Sequence, residues 1–244
     1  MTEKVLDASP PAVRVQGLTK LFGGRYALRG IDLSVNRGEC LVVFGPNGAG
    51  KTTLVKTLST LVRPSSGNVW LDGVNIRSKP SQIRRKISLV SHQTFLYHDL
   101  SIYENLKFYG KMYGVADPEQ RSREVIAQVQ LESRMHDRVG ALSRGLQQRA
   151  SIARSVLHNP SILLLDEPEV GLDPQAVTAI RDILEKIKAL GGTAVMTTHN
   201  LEQGLELADS VVILNRGQIV YQASKREVNI GSFPQNYARF TEAG

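Results

Sequence analysis

Short apolar runs alternate with amphipathic helical patterns along most of the chain. The runs have the length and composition of buried strands, and they occupy residues 41–44, 87–90, 162–165, 193–197 and 210–214. Apolar residues recur at helical spacing behind the first run, at Leu54, Val55 and Leu58. This alternation predicts an α/β fold with a mostly parallel sheet.

Two regions depart from the alternation. Near the start of the chain, shorter strands are predicted at residues 13–16, 31–35 and 68–71. Between residues 95 and 158 the composition becomes helical, and capping residues mark the helix starts at Ser101, Asp117 and Ser143. We therefore predict an all-helical insert over residues 95–158. The pattern after Val228 is weak and predicts no element.

Composition and charge narrow the class of protein. The chain has 244 residues, of which 41% are hydrophobic and 22% charged, as is ordinary for a soluble globular protein. The net charge of +7 suits nucleotides and an anionic membrane face without demanding nucleic acid. No run approaches the roughly 18 apolar residues of a membrane span, and residues 1–11 lack the apolar core of a signal peptide. A single cysteine, Cys40, agrees with a reducing cytoplasmic setting.

The stretch after the first apolar run matches the phosphate-binding pattern G-x-x-x-x-G-K-[ST] at every fixed position. Its glycines let the backbone wrap around phosphate oxygens, and the amides at the helix start favour anions. We expect Lys51 to contact the β- and γ-phosphates of a nucleotide and the Thr52 hydroxyl to ligate Mg²⁺. The predicted contacts are Gly45, Pro46, Asn47, Gly48, Ala49, Gly50, Lys51, Thr52 and Thr53.

Two adjacent acids follow the run at residues 162–165. Buried carboxylates are costly without partners, and side chains alternate along a strand, so the two acids are predicted to have different roles. We expect Asp166 to hold Mg²⁺ opposite Thr52, chiefly through water. Glu167 would then face the γ-phosphate and act as general base on the attacking water.

Each of three further residues, two polar and one aromatic, has both a nucleotide-binding and a structural interpretation. His199 follows an apolar run, which in a parallel sheet places it on the edge that carries Gly45; it could bond the γ-phosphate or be a structural histidine. Gln93 could reach Mg²⁺ or water, or be an ordinary loop residue. Phe22 could stack on a purine base or fill the core.

A second anion site is predicted at Ser143 and Gly145, where a hydroxyl stands at a bare helix N-terminus. One nucleotide does not obviously require two such sites from the same chain. The second site is therefore expected to serve a neighbouring molecule.

In these motifs the chain resembles the ATP-binding subunits of ABC transporters, from about Val13 to Ala223. GPNGAGKTT and ILLLDEP correspond to the family's two nucleotide motifs, Gln93 to the Q-loop and His199 to the switch histidine. Phe22 stands at the adenine-stacking aromatic and Asp173 in the D-loop. LSRGLQQR, which includes Gln147, is similar to the signature motif.

The resemblance implies an ABC ATPase domain over residues 12–224, with a P-loop NTPase core, an N-terminal antiparallel β subdomain and the helical subdomain at 95–158. Residues 225–244 form a C-terminal tail. It also implies ATP hydrolysis with Mg²⁺. The residues expected to act are Lys51, Gln93, Glu167 and His199 in catalysis, and Thr52, Gln93 and Asp166 at the metal.

The same resemblance implies partners and a location. Two copies would pack head to tail, with each ATP between the phosphate loop of one subunit and Ser143 and Gly145 of the other. Integral membrane subunits would dock near residues 95–100, on the cytoplasmic face of the membrane. No nucleic-acid partner is expected. The sequence departs from the family at two places. Arg144 and Leu146 replace the usual third and fifth residues of the signature motif, and Glu169-Val170 stands where many members have small or hydroxylated residues before the D-loop.

Within the family, four runs look most like the ATPase of the haem exporter used in cytochrome c maturation: SHQTFLY, ENLKFYGKMYGV, LSRGLQQR and THNLEQGLELAD. We therefore expect export linked to haem. The alternatives are the ATPase of a general drug or polymer exporter and, from another class, a soluble ABC-type ATPase acting on DNA or ribosomes. The last class usually carries a long coiled-coil insertion or a second nucleotide domain, which this sequence lacks.

Overall fold

A mostly parallel sheet lies at the centre of the computed structural model, which describes residues 10–168 and 174–242. Over these residues the sheet has six strands in the order β10-β9-β3-β8-β7-β6, and only β10 runs antiparallel to its neighbour. The strands are β3 (Cys40–Phe44), β6 (Ile87–Val90), β7 (Ile162–Asp166), β8 (Thr193–Thr197), β9 (Ser210–Asn215) and β10 (Gln218–Ser224). The predicted α/β class is confirmed.

A second sheet is antiparallel and has the order β2-β1-β4-β5. Its strands are β1 (Val13–Phe22), β2 (Arg25–Val35), β4 (Ser66–Leu71) and β5 (Val74–Asn75). The predicted strands at 13–16 and 31–35 are parts of β1 and β2, which continue to a turn at residues 23–24. This sheet is the antiparallel subdomain that the resemblance implied.

The helical insert is confirmed between β6 and β7, and its first helices begin where the sequence placed them. The helices of the chain are α1 (Lys51–Leu58), α2 (Pro80–Arg84), α3 (Ile102–Tyr113), α4 (Pro118–Gln128), α5 (Arg144–Val156), α6 (Pro174–Ala189), α7 (Leu201–Leu207) and α8 (Phe233–Glu242). Ser101 and Glu104 form a capping box at α3, and Asp117 and Ser143 cap α4 and α5. Each hydroxyl or carboxylate satisfies an amide that the helix itself leaves unpaired.

Two hydrophobic clusters cover the two faces of the parallel sheet. Along β3, Cys40, Val42 and Phe44 join the cluster that includes α3, α5 and α6, whereas Leu41 and Val43 join the cluster that includes α1 and the antiparallel sheet. This alternation follows from the period of two in a strand. The sheet is therefore buried on both sides, and its carboxyl edge is where loops and polar groups gather.

The segment after Val228, for which no element was predicted, contains α8. Phe233 is fully buried and its ring lies 5.3 Å from that of Phe44. Tyr221 of β10 contacts both Phe233 and Phe240. The helix thus covers the end of the strand that leads into the glycine-rich loop. The domain limits of 12–224 and 225–244 remain a prediction.

Candidate functional site

The glycine-rich loop connects β3 to α1 and is held closely by two neighbouring backbones. Gly45 has φ +156°, and a Cβ on it would lie 2.2 Å from the carbonyl oxygen of Leu214. Gly50 has φ +109°, and its Cβ would lie 2.6 Å from the carbonyl oxygen of Ala27. Both positions therefore accept only glycine, and the loop's shape depends on that.

The side chain of Lys51 is almost fully buried, with 5% of it exposed. Its Nζ donates to the carbonyl oxygens of Gly45 at 2.8 Å and Pro46 at 3.2 Å, and it lies 3.2 Å from Oε1 of Glu167. Nδ1 of His199 is 3.9 Å from the other oxygen, Oε2, of Glu167. The structure thus brings together three residues that lie 32 to 148 positions apart in the sequence.

Asp166 forms a second cluster with two hydroxyl groups. Its Oδ1 accepts from Oγ1 of Thr52 at 3.1 Å and from Oγ1 of Thr197 at 2.9 Å, and the residue is 4% exposed. The adjacent oxygens of Thr52 and Asp166 are the type of ligand that Mg²⁺ takes. The oxygen ligands at this cluster therefore fit Mg²⁺.

Thr197 is a site residue that the sequence analysis missed. Besides donating to Asp166, its hydroxyl accepts from the backbone N–H of Glu167 at 3.1 Å, and its carbonyl oxygen accepts from the same N–H. Glu167 has a left-handed φ of +47°, so it leaves the strand direction of β7 at once. The two acids consequently point to different clusters, and the cause is this left-handed turn rather than the strand alternation from which the separation was expected, because β7 ends at Asp166. The signal available in the sequence was a hydroxyl residue ending an apolar strand.

Two cavities open beside these clusters. One cavity has a volume of about 260 Å³ and is formed mainly by the glycine-rich loop. The residues that line this cavity are Ala27, Asn47, Gly48, Ala49, Gly50, Lys51, Thr52, Thr53 and Glu167. The other, of about 150 Å³, is lined by both Gln93 and Asp166. Seven of the nine predicted phosphate contacts therefore line one open space, all except Gly45 and Pro46, and Gln93 shares the second cavity with Asp166.

Phe22 lies at the end of β1 with 51% of its surface exposed, and Nζ of Lys20 is 4.8 Å from the ring centre. It does not fill the core, so that alternative is wrong. The stacking role stays a prediction. Asp173 lies outside the described residues.

The second predicted anion site has an exposed hydroxyl at a helix start. Oγ of Ser143 caps α5 by accepting from the N–H of Leu146 at 3.4 Å, and the next residue, Arg144, is also exposed. The amide of Gln147 donates to the carbonyl oxygens of Val139 and Leu142, which ties this side chain to the preceding turn of its own chain. The predicted nucleotide contacts of Ser143, Gly145 and Gln147 stay predictions.

Comparison with known proteins gives one consistent result. The family model described as "ABC transporter" matches residues 28–170. The chain is 33% identical to the linearmycin resistance ATP-binding protein LnrL of Bacillus subtilis, over 88% of this chain and 70% of that protein. It is 36% identical to the doxorubicin resistance ATP-binding protein DrrA of Mycobacterium tuberculosis, over 89% of this chain and 67% of that protein.

A solved structure is similar over nearly as much of the chain. It is a dimeric, post-hydrolysis state of the ATP-binding cassette MJ0796 bound to ADP and Pi. The TM-score is 0.82 at 27% identity, covering 88% of this chain and 100% of that chain.

Replacing Thr197 by valine tests the hydroxyl that links the two acids. The change keeps the shape but leaves Asp166 and the N–H of Glu167 each one bond short, and we expect it to lower the free energy of unfolding by about 1–3 kcal/mol. Misplacing the acids should also lower ATP turnover about 10- to 100-fold. Denaturant unfolding and a phosphate-release assay measure the two effects.

The matched control is Thr193→Val at the other end of the same strand. Its hydroxyl is also buried and also takes part in two hydrogen bonds, but both partners are backbone groups: it donates to the carbonyl oxygen of Asn36 and accepts from the N–H of Gly38. We expect a similar loss of stability with turnover within about twofold of wild type. Equal losses of turnover in both variants would contradict a specific role for Thr197.

Proposed function

The chain belongs to the ATP-binding subunits of ABC transporters and is an ATPase, and we propose that it powers export of a small molecule through membrane subunits. The relatives described above support this cargo class, because they are named for resistance to linearmycin and doxorubicin. Export linked to haem, which four sequence runs suggested, finds no support in those names. It stays the second candidate.

The observation that carries the proposal is a pair of clusters at one sheet edge. One contains Lys51, Glu167 and His199, and the other contains Thr52, Asp166 and Thr197. The loop amides and Lys51 bind the ATP phosphates, and Phe22 stacks on the adenine. Thr52, Asp166 and Gln93 hold Mg²⁺, which when bound would neutralise charge on the phosphates. Hydrogen bonds within the fold already orient Lys51, Thr52 and Asp166. The side chains of Phe22 and Gln93 are exposed.

Glu167 is the general base in this proposal. Lys51 and His199 lie on either side of its carboxylate, at 3.2 Å and 3.9 Å, so the group is positioned at the mouth of the loop cavity that it lines. There it would take a proton from the attacking water, and His199, 60% exposed, would bond the γ-phosphate.

The working unit is a head-to-tail dimer in which Ser143 and Gly145 of one copy complete the ATP site of the other. The dimeric cassette described above supports this arrangement. The exposure of Ser143 is compatible with it, because the hydroxyl is accessible to a neighbouring copy.

Membrane subunits dock near residues 95–100 on the cytoplasmic face of the membrane. Tyr97 is 52% exposed, Phe108 is 43% exposed, and their rings meet edge to face at 5.3 Å, which gives this surface an apolar patch. No described helix has both the length and the apolar character needed to cross a bilayer.

Replacing Glu167 by glutamine removes the base and keeps the shape. We expect ATP hydrolysis to fall at least about 100-fold, within the contribution of a general base, while ATP binding measured by calorimetry persists. The control is Glu185→Gln on the exposed side of α6, which should leave both quantities unchanged. Hydrolysis near the wild-type rate in Glu167→Gln would remove this residue as the base.

Mixed dimers test whether Ser143 acts on the partner's nucleotide. Neither Lys51→Ala nor Ser143→Ala alone should hydrolyse ATP well, but a heterodimer of the two contains one intact composite site. We therefore expect activity to return on mixing. The control mixture pairs Lys51→Ala with Glu167→Gln, whose defects lie on the same side of the site, so it should stay inactive. No recovery in the first mixture would argue against the trans arrangement.

The cargo is tested with the chain purified from membranes together with its transmembrane partner. Doxorubicin and haem are added separately, and ATPase stimulation is recorded, with Glu167→Gln as the inactive control. Stimulation by doxorubicin alone would support the drug-export proposal. Stimulation by haem alone would favour the second candidate, and recovery with ribosomes or DNA instead of a membrane protein would contradict transport.

A further inference from the structure

We propose that a cleft at the end of α1, lined by three arginines, binds the phosphate of an anionic phospholipid. This arginine cleft has a volume of about 330 Å³ and lies between the segment after α1 and the start of α2. Its charged side chains are Arg63, Arg77 and Arg84, and no carboxylate lines it. None of the three arginines forms an ion pair among the residues that the structure describes.

Two of the guanidinium groups each donate one hydrogen bond to a residue that lines the cleft. Nη2 of Arg77 donates to the carbonyl oxygen of Pro64 at 3.3 Å, and Nε of Arg84 donates to Oγ1 of Thr60 at 3.0 Å. These bonds leave Nε and Nη1 of Arg77 and both Nη groups of Arg84 as donors for a ligand.

Thr60 adopts a conformation that is unusual for its type. Its φ is +64°, in the left-handed region that disfavours β-branched residues. Glycine would avoid this strain at the end of a helix, but glycine has no hydroxyl for Arg84. The threonine is therefore explained by the position of Arg84 rather than by the turn alone.

The chemistry of the arginine cleft selects a phosphate group. A guanidinium presents a planar fork of donors that fits phosphate oxygens two at a time, and three such groups carry a charge that no protein acid offsets here. The competing explanation is that Arg84 caps the C-terminus of α1 and the other two are solvated. That explanation accounts for one arginine and gives no reason for three to line one cleft.

The position of the cleft indicates where the phosphate comes from, and this step rests on the proposed function. Leu61 is 58% exposed and lines a cavity together with Phe95, the first residue of the proposed docking segment. Its neighbours Thr60 and Val62 line the arginine cleft. The cleft therefore borders the surface on which the membrane subunits would dock, and lipid headgroups beside those subunits would supply phosphate. Free phosphate offers the same chemistry.

The test is flotation of the full chain with vesicles of phosphatidylcholine alone or mixed with phosphatidylglycerol. The cleft variant combines Arg63→Gln, Arg77→Gln and Arg84→Gln. The matched control removes three exposed arginines elsewhere: Arg123→Gln, Arg226→Gln and Arg239→Gln. We expect wild type to prefer the anionic vesicles, the cleft variant to lose about 100-fold in partitioning, as three basic contacts imply, and the control to lose less than about threefold.

Equal losses in the two variants, or no preference for anionic vesicles, would overturn the lipid proposal. A second arm separates the sources: inorganic phosphate is added to Lys51→Ala, so that the glycine-rich loop contributes little, and the melting temperature is followed. A rise that the cleft substitutions abolish, without vesicle binding, would keep the phosphate chemistry and overturn the lipid source. No response in either arm overturns both.

Measuring the ATP turnover of the cleft variant separates the vesicle-binding result from the test of the proposed function. None of the three arginines touches the ATP site, so turnover without membranes should match wild type and shows that the variant is folded. Loss of vesicle binding with normal turnover supports the cleft. Recovery of the chain with ribosomes or DNA instead of a membrane protein, in contrast, would leave the cleft result standing as a phosphate site and remove its link to transport.

Discussion

The buried ammonium of Lys51 is the constraint on which the site depends. A charge removed from water must be compensated by nearby polar groups, and here two loop carbonyls and the carboxylate of Glu167 compensate it. The loop follows β3 and Glu167 follows β7, with β8 between the two strands in the sheet. The middle strand supplies Thr197 and leads to His199. Three neighbouring parallel strands are therefore the minimum scaffold for this arrangement.

The loop is also supported from behind, by the C-terminal part of the chain. Phe44, the residue before the loop, lies between Gly204 of α7, where a Cβ would come within 2.5 Å of its ring, and Phe233 of α8. From the other side, the N–H of Gly217 donates to the carbonyl oxygen of Ala49 at 2.8 Å, and Nδ2 of Asn215 donates to that of Phe240 at 2.9 Å. Helix α8 thus contacts the loop's supports at two points.

The features that the sequence predicted well, such as helix starts, depend on interactions between residues close together in the chain. Capping residues such as Ser101 and Asp117 mark helix starts because the unpaired amides lie within three positions of them. The role of Thr197 could not be found in this way, because its partners Asp166 and Glu167 lie 30 or more positions away. Helix α8 was missed for a related reason. Its hydrophobic pattern is short, and the role of Phe233 becomes clear only from its packing against the distant residue Phe44.

Helix α5 joins two regions that would otherwise be separate. It begins at Ser143, which we propose to contact a partner's ATP, and extends about 20 Å. Near its other end Arg154 is buried, donates to the carbonyl oxygen of Leu89 at 2.7 Å and lies over the rings of Phe95 and Tyr109. Tyr109 in turn donates to the carbonyl oxygen of Phe95. Because a packed helix moves as a unit, a shift at Ser143 must be accommodated at Phe95, where the segment that carries Gln93 meets the proposed docking surface.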